Sequence, residues 1–136
     1  MENKRAHLSM LQAVITRMGA NSFFLKGWTI TLVAALFAIT MKESNPNILY
    51  VAYFPTVAFW ALDSYYLWQE KLFRGVYNKV REIDETKVNF SMDTSPIEGE
   101  TQSLIRVVFS PTLLVFYGVV LITIVLLFTY SGLGKR

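Results

Sequence analysis

Asp63 is the only carboxylate among the twenty residues from Ile48 to Leu67, in a run otherwise rich in aliphatic and aromatic side chains. An ionisable group in a membrane-length apolar segment marks an ion path, a proton relay or a docking point for a partner. Asp63 also lies within about one helical turn of the end of that run, where a solvated carboxylate is the simpler reading. At 100° per residue, Asp63, Tyr66, Glu70, Arg74, Tyr77 and Arg81 fall on one side of a helix, opposite Tyr65, Leu72, Val76 and Ile83. Two kinds of chemistry fit that stripe: a charged lining shared by copies of the chain around a pore, or an ordinary hydrated helix face. Glu70 and Arg74 have the favoured i, i+4 order, which stabilises an exposed helix by about 0.3–0.5 kcal/mol.

Other chemistries are poorly supplied. The chain has no Cys, which excludes disulfides, thiolate metal sites and cysteine nucleophiles, and His7 is its single histidine. No catalytic, metal-binding or cofactor-binding motif is present, so the expectation is a non-enzymatic protein without a cofactor. His7 borders an apolar helix face and reads as a packed or solvent-facing imidazole ahead of a pH switch. Tyr50, Tyr53, Tyr65, Tyr66, Trp60 and Trp68 read as packing and interfacial-belt residues, with a quinone or lipid headgroup as the alternative use. Net charge is +3, yet the basic residues cluster beside apolar runs, which fits orientation in a membrane and not nucleic-acid binding.

The elements that must position these residues follow from hydropathy. With 136 residues, 53% hydrophobic and 15% aromatic, the chain reads as one all-α membrane domain with three transmembrane helices. Residues 6–18 place Leu8, Leu11, Val14, Ile15 and Met18 on one face and predict a short amphipathic helix. Gly19-Ala20-Asn21-Ser22 predicts a break and a cap before a first span over residues 23–41. That span carries Lys26 and Trp28, read as interfacial membrane anchors in contact with lipid. Pro46 suits the first turn of the second span, residues 48–67, which continues as a cytosolic helical extension over residues 68–85. Pro55 predicts a bend in that span, or a gating hinge, unless Thr56 or a neighbour satisfies the freed carbonyl. Residues 86–109 read as a polar loop and an interfacial segment. Ser110-Pro111 opens an uncharged third span over residues 111–130, and the six residues after it read as a flexible tail.

Orientation comes from the basic residues. Lys4, Arg5, Arg17, Lys26, Lys71, Arg74, Lys79, Arg81, Lys87 and Arg106 lie on one side, against Lys42, Lys135 and Arg136 on the other. This bias predicts a cytoplasmic N-terminus and an external C-terminus.

The stretches His7-Leu8 through Ile15-Thr16-Arg17-Met18, Asn21-Ser22-Phe23 with Leu25-Lys26-Gly27-Trp28, and Phe54-Pro55-Thr56 through Phe59-Trp60, Leu62-Asp63, Tyr65-Tyr66 and Phe73-Arg74 together carry a likeness. They resemble a widespread, uncharacterised family of small bacterial multi-span membrane proteins over residues 7–92. The resemblance implies a bacterial inner (plasma) membrane protein and no particular activity. In layout alone, the chain is similar to the two-span effector modules of nucleotide-triggered antiphage systems.

Two functional expectations stand. One is a homo-oligomeric pore or membrane-disrupting effector, for example in phage defence, because the stripe from Asp63 has no obvious complement in the uncharged third span. The other is a structural or partner-binding membrane subunit whose cytosolic helices dock another protein.

Overall fold

The computed structural model describes residues 1–134, and all its regular structure is helical among the described residues. The pair Lys135 and Arg136, used in the charge count, lies outside them. Among the described residues five α-helices follow one another: α1 (Glu2–Glu43), α2 (Tyr53–Glu82), α3 (Ser95–Glu98), α4 (Leu104–Val108) and α5 (Pro111–Leu133). A 3-10 segment over Pro46–Ala52 joins α1 to α2. Two helices, α1 and α5, are long and apolar enough to cross a membrane.

The expected break at residues 19–22 does not occur. α1 runs unbroken for 42 residues, roughly 63 Å, about twice the thickness of a bilayer's hydrocarbon core. Gly19 costs a helix only about 1 kcal/mol, and one continuous buried face outweighs it. Leu11, Ser22 and Val33 are spaced eleven residues apart, as are Thr29 and Thr40, and all are buried. Eleven residues make three turns, so these side chains line one nearly straight edge along which α2 packs.

The connection to α2 also differs from expectation. Ser44 ends α1 in the left-handed conformation with φ 51°, and Asn45 Oδ1 accepts from the Asn47 amide at 3.1 Å. The 3-10 segment then delivers the chain to α2, which begins at Tyr53 and not at Ile48. Pro55 consequently falls in the first turn of α2, where its missing N–H is no loss. The bend and hinge readings of Pro55 lapse for that reason. Thr56 Oγ1 donates to the Ala52 carbonyl at 2.7 Å, as a first-turn hydroxyl can.

Two regions of packing result. At the polar end, Leu11 of α1, Leu72, Val76 and Val80 of α2 and Ile97 of α3 form a buried cluster, flanked by Leu8, Trp68, Phe73, Tyr77 and Met92. Ile97 comes from the segment read as a polar loop. It approaches α2 at Gly75 so closely that a Cβ there would collide with its Cγ2 methyl. At the apolar end, Val33, Ala52, Val120 and Ile124 pack together, and Val107, Leu113 and Tyr117 form a third cluster beside Trp60.

Candidate functional site

Asp63 sits where α1, α2 and α5 meet, with no exposed surface. α1 contributes Ser22 and Lys26, one turn apart, and α5 contributes Tyr117. Lys26 Nζ lies 2.6 Å from Asp63 Oδ2 and donates to Ser22 Oγ at 2.9 Å. Ser22 Oγ in turn donates to Asp63 Oδ1 through a short hydrogen bond. The Tyr117 hydroxyl donates to Asp63 Oδ2 at 2.9 Å, and its ring stacks on Trp60 at 5.8 Å and 6°. Both carboxylate oxygens are therefore engaged by donors from two other helices.

The local reason for each placement is the helix period. Ser22 lies on the buried edge of α1, with Lys26 next to it, so the ammonium turns inward along that edge. Four other buried serine and threonine hydroxyls bond back along their own chain: Thr29 to the Leu25 carbonyl, Thr40 to Leu36, Thr56 to Ala52 and Ser64 to Trp60, each at 2.7–2.8 Å. Ser22 is different because a charged acceptor across the interface binds a hydroxyl more strongly than a backbone carbonyl does.

An isolated buried carboxylate is prohibitively costly, and a paired one persists only when its remaining lone pairs are also satisfied. The asymmetry of the pair matters. Lys26 keeps 22% of its side-chain surface exposed, whereas Asp63 keeps none. The lysine can turn toward a polar layer if its partner is lost; the aspartate cannot.

The six-residue stripe does not stay together. Asp63 enters the three-helix junction. Glu70 pairs with Arg74, whose Nε and Nη2 reach its Oε1 at 3.1 and 2.7 Å, and its other oxygen lies beside Gly19 of α1. Tyr77 packs against the polar-end cluster, Tyr66 is half-buried beside Tyr65, and Arg81 is exposed. Asp63 thus finds within its own chain the complement that its sequence setting did not reveal. Of the two anchor residues, Trp28 is exposed, while Lys26 faces Asp63. Ser22 and Tyr117 are the residues that sequence reasoning missed. Ser22 resembled a helix cap, and Tyr117 was one hydroxyl in an uncharged span.

A second polar site ties the start of α1 to the segment that follows α2. Glu85 Oε1 accepts from the Asn3 amide at 2.8 Å and Oε2 from the Lys4 amide at 3.2 Å, with the Met1 ammonium 2.8 Å away. The Met1 ammonium, aided by these amides, holds the Glu85 carboxyl below the ordinary glutamate range. His7 is buried, bonds the Ser91 carbonyl through Nε2 at 2.9 Å and packs on Phe90, which adopts φ 55°. Among the described residues, no group of acidic, histidine or cysteine side chains could hold a metal ion.

No protein-family model, curated protein or solved structure matches the chain.

Proposed function

We propose that this chain is a non-enzymatic membrane subunit that holds a folded helical platform against the cytoplasmic face of the membrane for another protein to dock on. One observation carries the reading: both oxygens of Asp63 are taken up by Ser22, Lys26 and Tyr117 of the same chain. The buried charge acts as a clamp between three helices, with no need for a second copy to complete it. The pore reading rested on the opposite premise.

In this reading the apolar half of α2 is a third crossing, flanked by α1 and α5. Phe54, Val57 and Leu62 project outward from it as lipid-facing side chains. The excess of Lys and Arg at the polar end favours that end in the cytoplasm. There the cluster around Leu11, Leu72 and Ile97 gives the platform a core of its own, so its outer face is preformed before any partner arrives.

Induced expression with a membrane-potential dye, combined with a photo-crosslinker at exposed Arg17 or Asn78, tests the proposal. An unchanged potential and adducts to a second protein support it. Collapse of the potential, or adducts only between copies of the chain, would favour the pore.

A further inference from the structure

We propose that α4 and the turn after it are seated in the cytoplasmic leaflet of the bilayer, with Ile105 and Phe109 among the acyl chains and Arg106 at the lipid phosphates. The proposal rests on the reading of α2 and α5 as membrane crossings. Two indoles of α2 fix where α4 sits. Trp68 Nε1 donates to the Gln102 carbonyl at 3.1 Å, just before α4, and Trp60 Nε1 donates to the Val108 carbonyl at 3.0 Å, at its end. Trp60 precedes Trp68 by eight residues, roughly 12 Å of helix, so α4 descends antiparallel beside α2. Phe109 meets the Trp60 ring edge-on, with centroids 6.4 Å apart. Trp60 stands three residues before Asp63, in the apolar half of α2, and α5 begins at Pro111. The end of α4 is therefore at the depth of the crossings, below the polar end of the molecule.

Depth and charge together select the occupant. Val107 is fully buried, whereas Ile105 and Phe109 are 71% and 59% exposed, an apolar face that α2 leaves uncovered. At the depth of the crossings a water-soluble partner cannot reach that face. A second copy packed on it face to face would set Arg106 against its own counterpart, and neither α4 nor α5 carries a carboxylate to offset the charge. Arg106 is exposed and has no ion pair among the described residues. Its long stem lets the guanidinium reach back to the phosphate layer, where the anionic cytoplasmic leaflet supplies the missing counter-charge. The backbone meets the condition that lipid imposes on a break between helices, which is that its polar groups find partners in the protein. The Phe109 amide donates to the Ile105 carbonyl at 3.3 Å, the Ser110 amide to Val107 at 3.0 Å and the Leu114 amide to Ser110 at 2.9 Å. The Val108 carbonyl is taken up by Trp60.

The chain has no cysteine, so Ile105→Cys and Phe109→Cys each carry a single environment-sensitive fluorophore. The labelled full chains are placed in nanodiscs of phosphatidylethanolamine and phosphatidylglycerol. Quenching by lipids brominated along their acyl chains, and by aqueous iodide, is compared with Val115→Cys on α5 and Asn78→Cys on the polar half of α2. Acyl-chain quenching at 105 and 109 should come within about twofold of that at 115, with iodide reaching only 78. Arg106→Glu, made on the Phe109→Cys chain, should lower the acyl-chain quenching by repulsion from the phosphates. Iodide quenching at both 105 and 109, quenching there by neither agent, or no effect of Arg106→Glu would overturn the proposal while 115 remains quenched by lipid. Absence of lipid quenching at 115 as well would defeat the membrane reading and this proposal with it.

Discussion

The Lys26 ammonium and the Asp63 carboxylate meet at 2.6 Å across the α1–α2 interface, one partner reaching the surface and the other wholly enclosed. Their unequal burial makes the two halves of the pair unequal in consequence. Lys26→Met leaves an enclosed carboxylate supported only by hydroxyls, and should destabilise the bundle by about 3 kcal/mol or more. Asp63→Asn keeps one acceptor oxygen, turns its amide N–H toward the other hydroxyl, which can accept from it, and lets Lys26 turn outward, at about 1 kcal/mol. The double variant Lys26→Met/Asp63→Asn should be more stable than Lys26→Met alone. Thermal unfolding of the three proteins in nanodiscs checks this order, and equal losses for the two single variants would contradict it.

Gly75 and Ile97 form a close contact between α2 and α3. Gly75→Ala adds helix propensity worth about 1 kcal/mol but forces the Ile97 methyl aside in a filled cluster, where overpacking costs about 1–3 kcal/mol. Net destabilisation is expected. Ile97→Ala removes the obstacle, so Gly75→Ala made on that background should be neutral or stabilising. A double-mutant cycle on unfolding free energy measures the difference, and additive effects would show that α3 does not pack there.

Glu85 provides the pH dependence. Its carboxyl is held below the ordinary range, so the contact with the start of α1 is complete above that range and is lost as pH falls through the depressed value. The Asn3 and Lys4 amides should therefore lose hydrogen-exchange protection in acid, relative to Glu85→Gln at the same pH. At neutral pH the wild-type amides should be the better protected. Equal protection in the two proteins at neutral pH would remove the contact from the account.

Topology follows from the charge bias. Reporter fusions at the two ends should report opposite compartments, the N-terminal one cytoplasmic. If both report the same side, the apolar half of α2 does not cross.

The helical class of the fold was legible because apolar segments of membrane length have few other solutions. The facing of Leu11 toward Leu72 and Val76 could be read from two apolar stripes, each too narrow to stand alone in water. The junction around Asp63 was not legible, for two reasons. Gly19 and Ser22 are local breaker and capping signals, and a face maintained over 42 residues overrode them. The inward turn of Lys26 depends on the angle at which α1 meets α2, and an isolated helix wheel carries no such information. Tyr117 required knowing that α5 closes on the same point. Ile97 was hidden in a segment most of whose residues are polar; its close contact at Gly75 places it in the core.

Whether the Asp63 clamp lies within one chain is tested most directly by exchanging its charges. Lys26→Asp and Asp63→Lys should each destabilise the protein when made alone. Both changes in one chain should recover much of the loss, whereas coexpressing a Lys26→Asp chain with an Asp63→Lys chain should recover none. Recovery in the mixed sample, read as thermal stability and yield of the membrane-extracted protein, would mean that the pair forms between chains and would return Asp63 to an oligomeric interface.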